Sequence, residues 1–156
     1  MIKKLILLLS FIAVFIAGFM VGIYTLPILT ATPAPAITTL QQHANRALFK
    51  GEFKTNLKGS DSLHYGDGMV YLSNDAISMQ GKLAPGPDYQ LYLSHQFIDN
   101  EKDFLSYKGT MQRIAEVRSF NGFKIRVPQG VNISEYNTVI IWCESFNEFI
   151  TAARYQ

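Results

Sequence analysis

The chain has 156 residues, room for one ordinary domain with accessories, and its single cysteine excludes an internal disulfide framework or a Cys-rich zinc site. Lys3 and Lys4 account for two of the 14 basic residues; the other 12 balance the 12 acids, all of which lie beyond residue 51. A domain so balanced has no basic footprint for phosphate backbones, which argues against nucleic acid as a partner.

Met1-Ile2-Lys3-Lys4 is a short positive head, and no charged residue follows from Leu5 to Leu29. That run exceeds the ~7–15 apolar residues of a secretory signal and reaches the ~20 that a bilayer core requires. Residues 1–29 therefore read as an uncleaved transmembrane anchor. The alternative is a signal peptide cut near Ala34-Pro35-Ala36. Lysines on the near side place the N-terminus in the cytoplasm and the domain outside it, in the periplasm or at the cell surface. Residues 30–50 read as a Pro-rich spacer and a short helical stalk over Thr39–Phe49, because Leu40, Ala44, Ala47 and Leu48 recur at helical spacing. His43 lies on that stalk and is expected to be solvated.

From Gly51 onward short β runs separated by turn residues take over. They span 51–56, 69–72, 76–83, 89–94, 114–120, 123–127, 138–143 and 149–154. This predicts an all-β, antiparallel sandwich or barrel-like domain over 51–156, behind the N-terminal transmembrane helix. Asn121-Gly122 predicts a tight hairpin between two of the runs, since both residues accept positive φ. The segment from His95 to Gly109 reads as an irregular surface loop, with His95 solvated. Thr138–Cys143 reads as a strand buried on both faces, with Val139, Ile141 and Cys143 on one and Thr138, Ile140 and Trp142 on the other.

Two residues stand out as chemistry. His64 sits among Asp61, Gly66, Asp67 and Gly68, where it either shuttles protons and ligates a metal or merely ties down a turn. No second ligand of metal-like spacing accompanies it, so no metal set is readable. Cys143 is an inert core thiol if enclosed, and a redox or ligand group if it emerges at the strand end. Hydrolase, kinase, metalloprotease and thioredoxin signatures are absent.

Ile141-Trp142-Cys143-Glu144-Ser145-Phe146 with Phe149 resembles the VWC-x-x-F closing motif of the DM-thirteen domain family. Gly51-Glu52-Phe53, His64 with Gly68, Gly86-Pro87-Asp88 before Tyr89–Leu93, and Val127-Pro128 before Val131–Tyr136 resemble further family segments in the same order. The family pattern has a glycine where this chain has Ile150. The resemblance implies a sandwich-like extracytoplasmic domain whose signature cysteine, here Cys143, works in electron transfer, with His64 as its accomplice. It implies a redox accessory domain more than a stand-alone enzyme, with a separate redox partner protein. Haem or a metal is compatible with that role, though the sequence assigns neither. The competing reading is a non-catalytic binding or envelope-organising module with Cys143 in its core.

Overall fold

The computed structural model describes residues 2–156; Met1, the first residue of the positive head, lies outside them. The first element is α1 (Ile2–Thr30), a single helix long and apolar enough to cross a membrane. Its last turns lean on the domain: Pro27 is buried, and just beyond the helix Thr32 donates its amide to the Arg118 carbonyl at 2.9 Å.

The domain is built from two four-stranded antiparallel sheets. The strands are β1 (Phe49–Phe53), β2 (Gly66–Leu72), β3 (Ala76–Leu83), β4 (Tyr89–Ser94), β5 (Gln112–Val117), β6 (Phe123–Arg126), β7 (Thr138–Cys143) and β8 (Glu148–Arg154). One sheet has the order β1-β2-β3-β6 and the other β5-β4-β7-β8. Alternation decides what each strand buries. Val70, Leu72, Ile77 and Met79 from the first sheet meet Leu91, Leu93, Val139 and Ile141 from the second in one continuous core. The domain is thus a β-sandwich, while the chain as a whole is not all-β because of α1 and two short helices.

Those helices, α2 (Ile37–Ala44) and α3 (Glu101–Tyr107), cover the outer faces. The predicted stalk helix ends at Ala44, and Phe49 already belongs to β1. Leu40 and His43, one helical turn apart, turn inward onto the first sheet. His43 is therefore buried, not solvated. Its Nδ1 lies 2.6 Å from the Ser78 hydroxyl and its Nε2 lies 2.7 Å from that of Ser73. Ser73 donates to Asp75 at 2.7 Å, so it accepts from Nε2–H, and Nδ1 accepts from Ser78. The ring is thereby assigned as the neutral Nε2–H tautomer.

The expected loop from His95 to Gly109 contains α3, followed by a 3-10 turn over Lys108–Thr110. Asn100 caps the helix by accepting from the Asp103 amide at 3.0 Å, and Phe104 supplies its one buried side chain. His95 donates from Nδ1 to the Glu135 carbonyl at 2.8 Å and stacks on Tyr136.

Asn121-Gly122 does not close a hairpin. β5 pairs with β4 and β6 pairs with β3, so this turn carries the chain from one sheet to the other. Gly122 has the positive φ that its sequence context demands, +105°, but that demand says nothing of whether the flanking strands pair. A second glycine requirement lies in β2 and β3, where Gly68 and Gly81 face each other in register with φ of +135° and +155°. A Cβ on Gly68 would stand 2.3 Å from the Gln80 carbonyl oxygen. The glycine of the His64-x-x-x-Gly68 segment thus answers to a backbone contact between strands.

Candidate functional site

β7 is the strand around which the site is arranged, and all six of its residues are buried. Its two faces meet different surroundings. Ile140 and Trp142 point outward into a second apolar cluster with Tyr92, Ile98, Phe104, Phe149 and Ala152. There the Phe104 ring stacks on Trp142 at 3.9 Å between centroids and 10° between planes. Val139, Ile141 and Cys143 point into the sandwich core, the alternation expected from the sequence.

Cys143 is the last residue of β7, and its neighbours open on one side into a cavity of about 190 Å³. Cys143 is only 2% exposed, so it borders this space from within the core. Tyr89 stands directly opposite Cys143 in the β4–β7 register, which puts both side chains on one face. The Tyr89 ring packs over Gly86, where a Cβ would come within 2.3 Å of it. His64 comes from the segment before β2 and lines the same cavity. No hydrogen bond joins it to Cys143 among the described residues; its Nδ1 is instead 3.1 Å from Asp61 Oδ2. Asp61 Oδ1 accepts from the amides of Leu63 and His64, both at 2.7 Å, so the histidine sits in a turn that its own neighbour organises.

Electrostatics keep the sulfur protonated. Burial pushes the Cys143 thiol up from its ordinary value, and the backbone near Phe146, Asp88 and Ser145 only partly offsets that. Burial, with Cys143 beside it, pushes up the Tyr89 phenol as well. The β7–β8 turn is tied back onto the segment that precedes β4. Asn147 takes φ of 53° there, Ser145 donates to Asp88 Oδ2 at 3.0 Å, and Glu144 donates its amide to the Asp88 carbonyl at 3.0 Å. Asp61 is held below the usual carboxylate range: burial opposes ionisation, but the amides of Leu63 and His64 and the histidine ring outweigh it.

Among the described residues no group of three or more His, Cys, Asp or Glu side chains is placed to hold a metal ion. One thiol and one imidazole fall short of a closed four-ligand site. The cavity is also smaller than the ~300–1,000 Å³ of ordinary ligand pockets, which does not suit a haem.

Sequence reasoning named Cys143 and His64 but missed the other walls. Tyr89 was legible in principle, as the residue that follows Gly86-Pro87-Asp88 into a strand. Met20, Ile23 and Tyr24 of α1 also line the cavity, and nothing local in the sequence announces that.

A family model described as Electron transfer DM13 matches residues 58–155, more than half of the chain. The match takes in His64, Tyr89 and Cys143 and leaves out Gly51-Glu52-Phe53. No curated protein and no solved structure matches.

Proposed function

The chain belongs to the electron transfer DM13 family, and from that premise we propose that it is a membrane-anchored extracytoplasmic domain whose redox residue is Cys143. The observation that carries this reading is the position of the sulfur, at the end of β7 on a cavity that His64 and Tyr89 also line. Loss of one electron and of the S–H proton leaves the sulfur as a thiyl radical, which the reverse transfer restores to the thiol. The electron goes to an oxidised partner protein. The proton leaves through the cavity that His64 also lines, and His64 is the accessory group there. Lys3 and Lys4 before the apolar helix support an inside N-terminus and an outside domain.

Voltammetry of the full chain in a supported bilayer tests the redox role. A Cys143-dependent wave is expected, absent in Cys143→Ser and shifted in pH dependence in His64→Gln. A chain that shows no wave, or one that Cys143→Ser leaves unchanged, overturns it. For topology, external protease should digest the domain in spheroplasts while the mature chain still begins at Met1.

One observation favours a second reading, a binding or envelope-organising module. Cys143 is 2% exposed and its thiolate is disfavoured, as for an inert core cysteine. Under that reading the native thiol resists alkylating reagents and reacts only after denaturation. Under the first it reacts while folded.

A further inference from the structure

The Cys143 cavity is not closed by the domain alone. Met20, Ile23 and Tyr24, from the last third of α1, form part of its wall. A second, apolar notch continues along the helix past Leu26 to Phe146 on the β7–β8 turn. The position of these helix residues along the chain has a physical consequence. At ~1.5 Å per residue, 29 residues extend roughly 44 Å, more than the ~30 Å of a hydrocarbon core. A span of ~20 residues counted from Leu5, just past the two lysines, ends near Tyr24. The wall of the cavity therefore stands at the outer edge of the hydrocarbon.

The domain surface at that level is apolar. Leu63 is 57% exposed and Phe146 50% exposed, one on each of two separate turns, and both line the cavity. Nothing in the sandwich requires a leucine and a phenylalanine to face water there. Exposed apolar side chains clustered at one spot mark a contact surface. Here the helix beside them indicates what covers it.

The geometry points to a domain seated on the bilayer: the face carrying Leu63 and Phe146 dips into the outer headgroup–acyl boundary, and the Cys143 cavity fills from the lipid phase with a small, largely apolar, membrane-dissolved molecule. This inference rests on the reading of α1 as a membrane span. It adds that the folded domain, and not only its anchor, touches lipid.

Site-directed nitroxides on the full chain in phospholipid vesicles test it. Single cysteines replace Leu63, Phe146, Leu105 or Val14 in a Cys143→Ser background. Each label is scored for collision with oxygen, which concentrates in lipid, against a polar nickel chelate, which stays in water. Leu105 is as exposed as the others, at 53%, but lies on α3 under no part of α1, and serves as the aqueous reference. The oxygen-to-nickel ratio at 63 and 146 is expected to exceed that at 105 several-fold and to approach that at 14. A lipid-like ratio at 14 with water-like ratios at 63 and 146 overturns the seating and leaves the anchor standing. A water-like ratio at 14 overturns both. The wild-type chain supplies a measurement that needs no substitution. Cys143 should react several-fold faster with a lipid-partitioning maleimide than with its sulfonated counterpart; equal rates, or no reaction with either, overturn filling from the lipid phase.

Discussion

The two sheets solve the same problem with opposite chemistry. Each must cover an outer face with one short helix. On the first sheet α2 does so with an imidazole hydrogen-bonded between two serine hydroxyls, in a site where His43 is 2% and Ser78 0% exposed. On the second sheet α3 does so with a phenyl ring laid flat on an indole. Aromatic cover works by area and shape and does not depend on protonation. Polar cover works only while every donor and acceptor keeps its partner. The difference therefore predicts which face fails under which insult.

The largest effect is expected on the second sheet. Trp142→Ala removes the fully buried indole from beneath Phe104 and should cost about 3–5 kcal/mol, read from the urea midpoint of the domain. A loss below about 1 kcal/mol would mean that the outer cluster does not hold the sheet together.

Next comes the first sheet. His43→Leu fills similar space but leaves the Ser78 hydroxyl buried without its partner, at a cost of about 1–3 kcal/mol. This site also carries the pH dependence. Burial, then the nearby Lys124, hold the His43 pKa below the ordinary histidine value of 6.5, with Asp75 pulling the other way. The folded state thus binds fewer protons at this site than the unfolded state does. Its stability is fully present above about 6.5 and falls as pH drops from there toward the depressed folded value. Asp75, also lowered, through its hydrogen bond from Ser73, acts only at more acid pH, below about 3.8. Urea midpoints at pH 7.5 and pH 5.5 should therefore differ in the wild type and converge in His43→Leu. Equal midpoints in the wild type would break the contrast between the two covers.

The smallest effect sharpens it. Tyr92 donates its hydroxyl to Glu144, which also accepts from Lys108, and both hydrogen bonds hold the Glu144 carboxyl below its usual range against the effect of burial. Tyr92→Phe keeps the ring's edge contact with Phe104 and removes only the hydroxyl. A cost of about 0.5–1.5 kcal/mol is expected from chemical denaturation. A larger loss would show that the aromatic cover depends on this polar fringe after all.

What was legible from the residues divides along similar lines. The inward and outward faces of β7 followed from alternation alone, because a strand's period needs no tertiary context. His43 was misread because it was weighed as a lone polar residue. Its spacing of three from Leu40 already placed it on the helix's buried face. α3 was missed because seven residues leave too short a window for periodicity, although Asn100 and Asp103 form a readable cap. Asn121-Gly122 was read correctly as a turn and wrongly as a hairpin, since positive φ reports local backbone shape and not strand partners. Of the candidate site, the thiol and imidazole were readable one by one. The space beside them was not, because α1, the 61–64 turn and the 85–89 segment build it together from distant parts of the chain.

Only six residues, Ala31 to Ala36, separate α1 from α2. Fully stretched they reach about 20 Å, and three features shorten that further: Pro33, Pro35 and the hydrogen bond from Thr32 to Arg118. On so short a leash an anchored domain sweeps a thin slab above its helix. It cannot travel out to meet a distant molecule. Under the proposed anchoring and redox role, encounter with Cys143 becomes a search in two dimensions, set by how fast the other party diffuses along the same surface.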